Sequence, residues 1–347
     1  MSVVNFKRVN YFNGKPLEIK DVKLDTANLK DDEILVKISH AALNPVDLIL
    51  HHSSWAFFWK TNVKGIGRDY SGVVEQVGSK ITEFVVGDQV SGLFEPIYTE
   101  QGTVSQYLIV KPSESPSGKI PKSLTLAEAA SFPLVFATAY STVRSFHKPT
   151  ESSRVLVIGG ATAVGYYTIQ LLKNYYQVKS IVSINSSSSE PLVKEIGADL
   201  VVDYAKGNVG QAVKSIVDNE YQGEKFDLII DCVGSSDIFP VVNDVLKPKT
   251  TESGFVTIVG DKIADYNQSM FKFFSWSLIS KLIPYFRTYN YGFVTTCSDF
   301  YPLATKLFDE GKLKTYIDSE FELEDYTVAF KKLATHKARG KVLIKPN

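Results

Sequence analysis

Apolar and polar positions change rhythm along the chain. From the start to about residue 110, apolar residues come in short runs at 34–38 (ILVKI), 70–77 (YSGVVEQV) and 107–110, separated by Gly, Pro and Asp. Runs bounded by turn residues predict short strands. Over 125–146 the rhythm becomes helical: Thr125 is placed to cap, Glu128 follows three residues on, and alanines come next. Beyond 154 the apolar runs are continuous, at 155–158 (VLVI), 180–184, 200–204 (LVVDY), 226–234 (FDLIIDCVG) and 254–260 (GFVTIVG), with a helix ending at Gly197 and Ala198. Buried strands alternating with helices predict an α/β fold with a doubly wound parallel sheet. After about residue 300 the pattern gives a helix, a strand near 317–321, a second helix and a last strand, KVLIK.

The stretch 154–174, RVLVIGGATAVGYYTIQLLKN, joins the first continuous strand to a helix through a turn of small residues. Small residues let backbone come close to a ligand. A helix starting near Val164 would aim its free amides and positive dipole end at that turn. The pattern predicts a seat for a dinucleotide pyrophosphate. A G-x-G-x-x-G read from Gly160 gives Gly160, Thr162 and Gly165, so the middle glycine is a threonine. If accommodated, Thr162 would donate its hydroxyl or amide to the pyrophosphate. Taken alone, the turn also fits an ordinary βα connection, and the alternation that follows is what favours the nucleotide.

Composition narrows the classes. Lys+Arg and Asp+Glu both total 38, which leaves no basic excess for nucleic acid. Cys232 and Cys297 are the only cysteines, too few for a disulfide framework or a four-cysteine zinc site. No uninterrupted apolar stretch of 18 residues occurs, and the start lacks the apolar core of a signal peptide. An intracellular, cytoplasmic chain of about two domains is expected.

With these pieces in order, the chain resembles the medium-chain dehydrogenase/reductase superfamily, in its zinc-free, quinone-oxidoreductase-like branch. The resemblance runs through AALNPVD (41–47), GRDYSGVVEQVG (67–78), VGDQV (86–90), FATAYSTV (136–143), IGADLVVDY (196–204), FDLIIDCVG and GKVLIKP (340–346). HAALNPVD, RDYSGV, VLVIG, LLKNYY, FPVVNDVLKPK and ARGKV are similar to the fungal Yim-type group. The resemblance implies a GroES-like β domain over 1–125, completed by 295–347, and a Rossmann domain over 126–294. It places the active site in the cleft between them.

Zinc-dependent relatives carry a cysteine where Asn44-Pro45-Val46-Asp47 stands, and a histidine–glutamate pair where Arg68-Asp69 stands. The expectation is therefore no metal. His51 and His52 read as solvated loop residues, since adjacent positions on a strand point oppositely, and Cys232 as a small buried hydrophobe. An NAD-binding relative carries an acid about 20 residues past the glycine turn. Asn185 stands there, after Ser183 and before a serine run, so NADPH is expected over NADH. No Arg or Lys lies in that loop. By resemblance Tyr204 lies near the 2′-phosphate, though a strand-end aromatic covering the core is the alternative. Gly160, Thr162, Ala163, Val164 and Gly165 are expected at the pyrophosphate. Thr138, Val233 and Gly260 complete the cofactor set.

Hydride transfer needs an oriented nicotinamide and little water. Asn44 and Asp47 are expected on the nicotinamide side, although Asn44-Pro45 also suits a turn. A Tyr70 hydroxyl or a water would steady charge on the oxygen of a quinone or enone. No residue stands out as a general acid. Aromatics at 53–60 (SSWAFFWK) and 270–293 suggest a pocket for a flat or apolar substrate, a contact with a membrane or lipid droplet, or a homodimer interface. Three functions follow: an NADPH-dependent reductase of quinones or enones, a catalytically idle nucleotide or partner binder in stress response, and a peripheral protein of lipid droplets or mitochondria.

Overall fold

The segment VVNFKRVNYF forms β1 (Val3–Phe12), which pairs antiparallel with β2 (Glu18–Asp25). A computed structural model describes residues 3–260, 262–263, 265–270 and 288–346. They fall into two units: Met1–Leu134 with Tyr266–Phe271 and Ser298–Asn347, and Val135–Asp265 with Lys272–Cys297.

The first unit continues with β3 (Ile34–Leu43), α1 (Pro45–Ser53), β4 (Val63–Gly65), β5 (Asp69–Val77), β6 (Gln89–Leu93), β7 (Tyr107–Val110) and β8 (Ser117–Lys119). α2 (Leu126–Ala130) carries the expected cap, with Thr125 Oγ1 accepting from the Glu128 amide. The single helix predicted over 125–146 is two, because α3 (Pro133–Val143) restarts at a proline. Proline lacks an amide and disfavours helical backbone before it.

The second unit holds β9 (Arg154–Ile158), α4 (Ala163–Gln170), β10 (Ser180–Asn185), α5 (Glu190–Glu195), β11 (Leu200–Asp203), α6 (Val209–Ser215), β12 (Leu228–Asp231), α7 (Val242–Val245), β13 (Gly254–Thr257) and β14 (Asn290–Phe293). The chain ends, back in the first unit, with α8 (Tyr301–Asp309), β15 (Ile317–Glu322), α9 (Tyr326–Ala334) and β16 (Lys341–Lys345).

In the first unit β2-β1-β4 form one sheet, and β15-β16-β3-β5-β6-β8, with β7 on β3, form another. The second sheet runs antiparallel except between β15 and β16. Ile34, Val36, Tyr70, Val74, Val90 and Leu108 fill its core.

In the second unit the order is β11-β10-β9-β12-β13-β14, parallel throughout. Numbered within the unit this is 3-2-1-4-5-6, the Rossmann arrangement. β9 and β12 are central, so both faces of their apolar runs are buried. The order reverses between β9 and β12, and ligands of such sheets bind beyond the strand ends at that switch. Of the aromatic stretch 270–293, residues 271–287 lie outside the described residues, while Asn290–Phe293 is the edge strand β14.

Candidate functional site

The turn after β9 is held by its own atoms. Gly159 has φ +80°, and its carbonyl accepts both the Thr162 amide at 2.9 Å and the Thr162 hydroxyl at 2.8 Å. The same hydroxyl accepts the Gly165 amide at 3.1 Å, so Thr162 is the N-cap of α4. This corrects the expected role of Thr162: neither donor is left for a phosphate, because both close the turn on Gly159. The amides of Ala163 and Val164, first in α4, have no acceptor within the helix and remain the donors of the site. A Cβ on Gly165 would sit 2.2 Å from the Gly159 carbonyl oxygen, and one on Gly160 would sit 2.1 Å from Ser183 Oγ. Helix, turn and β10 therefore meet with no room for a side chain.

Ser183 is wholly buried and donates to Asn185 Oδ1 at 2.5 Å. That bond turns the Asn185 Nδ2 group away, and this buried donor has no hydrogen-bond partner. Asp203 stands beside Asn185 in the parallel register. Its carboxylate accepts the Ser187 hydroxyl and the Ala205 amide, which hold it below the ordinary carboxylate range. Lys206 Nζ lies 3.9 Å from it. Sequence reading missed Lys206 because it follows β11, outside the serine run. Tyr204 is exposed, so it does not cover the core.

At the ends of β12 and β13, Asp231 accepts the amides of Val233 and Gly234 at 3.0 and 2.9 Å. Burial raises its pKa to about 6. Thr257 Oγ1 accepts the Gly260 amide at 2.9 Å, and Gly260 has φ +120°. Val233 and Gly260 thus lie on turns tied to Asp231 and Thr257. Thr138 is buried on α3.

The first unit holds a buried polar cluster. Asn44 Nδ2 donates to Asp69 Oδ2 at 2.9 Å and to the Ala42 carbonyl at 3.3 Å. Lys341 Nζ donates to Asn44 Oδ1 at 2.6 Å and to Asp69 Oδ2 at 3.0 Å. Asp69 Oδ1 accepts the Leu134 amide at 2.8 Å. Asn44 is therefore a hub whose amide hydrogens are both spent on the protein. Its backbone amide donates to Asp47 Oδ2 at 2.7 Å, leaving Asp47 Oδ1 buried without a partner. Burial lifts the Asp47 pKa to about 7, against the pull of the Asn44 amide.

Two expectations change here. Tyr70 is a core residue with no exposed surface, and its hydroxyl meets Ser117 Oγ at 2.8 Å, so no substrate oxygen reaches it. Its inward direction follows from the pleat of β5. His51 and His52 lie on α1 rather than on a strand or loop, with the rings 5.1 Å apart. His51 packs edge-on against Tyr11, and its Nε2 is 2.8 Å from the Lys15 carbonyl. In the stretch 53–60, Trp55, Phe58 and Trp59 are exposed, while Phe57 stacks on Tyr98 at 4.4 Å. Cys232 is buried, as expected of a small hydrophobe.

Residues 30–119 match the alcohol dehydrogenase GroES-like domain, and residues 196–344 match the zinc-binding dehydrogenase family. Protein Yim1 of Saccharomyces cerevisiae (strain ATCC 204508 / S288c) is 36% identical over 359 aligned residues, covering 99% of this chain and 98% of the relative. The chain belongs to the medium-chain dehydrogenase/reductase superfamily. The quinone oxidoreductase of Coxiella burnetii shares the fold with a TM-score of 0.78 at 21% identity, covering 99% of this chain and all (100%) of that one. A quinone oxidoreductase of Pseudomonas syringae pv. tomato DC3000 gives 0.75 at 21%, covering 98% and 100%. A cobalt- and zinc-bound alcohol dehydrogenase of Pyrobaculum aerophilum gives 0.71 at 19%, covering 99% and 100%.

Zinc does not fit the described residues of this cluster. Among the described residues no group of three His, Cys, Asp or Glu could hold a metal. Asp69 and Asn44 already bind the Lys341 ammonium, which repels a second cation. A nicotinamide dinucleotide does fit. The glycine turn is clear of side chains, the first α4 amides are unspent, and Asn185 Nδ2 lacks an acceptor.

Proposed function

We propose that this chain is a zinc-independent, NADPH-dependent oxidoreductase that passes hydride to a quinone, an enone or a related carbonyl compound. The observation that carries the reading is the unpaired Nδ2 group of Asn185 at the end of β10. A buried donor without an acceptor costs about 1–3 kcal/mol. An oxygen at the 2′-position of the adenosine ribose would supply the acceptor. An amide rather than a carboxylate at 185 supports the 2′-phosphorylated form.

Ala163 and Val164 would hold the pyrophosphate with their amides, and Gly160 and Gly165 would keep the approach open. The dinucleotide, when bound, supplies the hydride. In the first unit the Lys341–Asp69–Asn44 cluster anchors the start of α1 and so fixes where Asp47 stands. The quinone oxidoreductases that share the fold support the acceptor class by analogy.

The test is NADPH oxidation against a panel of benzoquinones, naphthoquinones and cyclic enones, with and without a zinc chelator. Turnover that depends on NADPH and ignores the chelator is expected. NADPH binding without oxidation by any acceptor would leave the idle, nucleotide-binding reading. One tightly bound zinc per chain by elemental analysis would overturn the metal-free one.

A further inference from the structure

Two turns at one end of the parallel sheet, 231–235 after β12 and 257–260 after β13, are each gathered on one side chain, and both lie wholly within the second unit. We propose that Asp231 and Thr257 are a positioning pair for the dinucleotide. Together they hold the two turns in the arrangement that receives it, and that arrangement is complete only while Asp231 is ionised. The inference rests on the dinucleotide reading above and names the residues that shape its seat.

Each turn closes on one oxygen. Asp231 Oδ1 accepts the amides of Val233 at 3.0 Å, Gly234 at 2.9 Å and Ser235 at 3.4 Å. Thr257 Oγ1 accepts the amides of Val259 at 3.1 Å and Gly260 at 2.9 Å. The two residues stand side by side in the register of β12 and β13, and both are wholly buried. Thr257 can give its one hydroxyl hydrogen to Asp231 Oδ2, 3.3 Å away, or to the Gly260 carbonyl, 3.1 Å away.

Counting donors shows why the charge matters. A hydroxyl oxygen has one hydrogen and two lone pairs. With Asp231 ionised, Thr257 gives its hydrogen to the carboxylate, the stronger acceptor, and its lone pairs to the Val259 and Gly260 amides, so the pair is fully satisfied. A proton on Asp231 Oδ2 has Thr257 Oγ1 as its neighbour, and three donors then compete for two lone pairs. Either one amide of the 257–260 turn loses its acceptor or the carboxyl hydrogen is buried without one, and an unmet buried donor is costly. A proton on Oδ1 fares worse, since three amides already point at that atom.

The pair reaches the phosphate turn by contact. A Cβ on Gly159 would sit 2.5 Å from Val233 Cγ1, so the 231–235 turn packs directly on the glycine turn. Gly234 has φ +82°, and a Cβ there would sit 2.1 Å from the Lys262 carbonyl oxygen and 3.1 Å from Val259 Cγ1. The two turns therefore interlock, and a shift at Thr257 is passed through Gly234 and Val233 to Gly159.

The surroundings of Asp231 bring its ionisation into reach. Burial opposes the charge and is the largest influence, the three amides and the Thr257 hydroxyl favour it, and the balance is a pKa of about 6. Beside it on β12 the Cys232 thiol is kept neutral by burial, and β9 contributes Ile158. Asp237 and Lys262, the charged residues of the flanking segments, are exposed. At neutral pH the buried carboxylate works against stability, which separates positioning from plain support of the fold. Asparagine at 231 would keep an Oδ1 acceptor for the amides but present a donor to Thr257, the same conflict as the neutral acid without the buried charge.

The test is calorimetric binding of NADP⁺ and NAD⁺ to the full chain across the pH range around 6, read beside amide spectra of the glycine-labelled chain without nucleotide. In wild type both affinities should fall by roughly tenfold as pH drops through about 6. NAD⁺ is included because the 2′-phosphate of NADP⁺ takes up a proton of its own in that range. Asp231→Asn should bind both at the wild-type acid level whatever the pH, while its melting temperature at neutral pH is no lower than that of wild type. Thr257→Ser should keep the wild-type pH profile, and Thr257→Val should flatten it. The Gly234 and Gly260 amides should titrate together at about pH 6 in wild type and stay fixed in Asp231→Asn. A wild-type NAD⁺ affinity that holds or rises on acidification would overturn the proposal. So would glycine amides that do not titrate, or an Asp231→Asn chain that binds like wild type at neutral pH. The glycine titration in a chain that binds neither nucleotide at any pH would sustain the paired turns and remove the dinucleotide reading instead.

Discussion

Lys341 Nζ lies 3.0 Å from Asp69 Oδ2, with both side chains almost without exposure (4% and 0%). The last strand is thereby tied to the start of β5 and, through Asn44, to the start of α1. Taking two charges out of water costs several kcal/mol each, and the pair recovers this only because Asn44 and the Leu134 amide satisfy the remaining bonds.

Removing one partner strands the other. Lys341→Met is expected to destabilise the chain by about 3–5 kcal/mol in urea unfolding. Asp69→Asn combined with Lys341→Met should cost less than the two single losses added. A loss under about 1 kcal/mol for Lys341→Met would show that the pair is not the anchor described.

The glycine turn gives a second prediction. A valine at 165 would drive its side chain into the Gly159 carbonyl, so Gly165→Val should abolish NADPH binding and lower the melting temperature. Thr162→Gly removes a cap worth about 1 kcal/mol against alanine and less against glycine. Its NADPH affinity should stay within about tenfold of wild type, about 1.4 kcal/mol. Binding gained by Thr162→Gly in a wild type blind to nucleotide would mean that the threonine blocks the site.

Local features of the chain were legible because they obey local rules. The apolar runs at 155–158 and 107–110 and the Thr125–Glu128 cap are set by neighbours a few residues away. The central cluster was not legible, since Asn44 meets Asp69 across 25 residues and Lys341 meets Asp69 across 272. No spacing rule links them, and Lys341 sat unremarked within the ARGKV motif. Tyr70 was misjudged for a related reason: which face of a strand looks inward depends on its partners β3 and β6. Thr162 was rightly placed in the turn, but the same hydroxyl that suits a phosphate suits an N-cap, and the shorter path won.

Proton linkage gives a third prediction. The Asp47 pKa rises from 3.8 unfolded to about 7 folded, so between those values the folded chain holds a proton that the unfolded chain has released. Stability from this group is full at low pH and is lost as pH climbs toward 7. Asp231, raised to about 6, acts in the same direction over a narrower window. Asp47→Asn should therefore gain on wild type in urea unfolding at pH 8 relative to pH 5. An unchanged difference between the two pH values would place the Asp47 pKa near its ordinary one.

Cofactor choice gives a fourth. Asn185→Asp puts a carboxylate beside Asp203 and at the expected 2′-position. NADPH affinity should fall by at least about tenfold, with NADH spared or improved. Equal losses for both would mean that Asn185 does not face the ribose.

The central claim is that the β9–α4 turn and the end of β10 hold a nicotinamide dinucleotide with a 2′-phosphate. Titrating the purified chain with NADPH and with NADH, following nicotinamide fluorescence, tests it most directly. The account predicts saturable binding of both with NADPH tighter by about tenfold or more, about 1.4 kcal/mol. Equal affinities would contradict the assignment of Asn185, and no saturable signal from either at millimolar concentration would contradict the site itself.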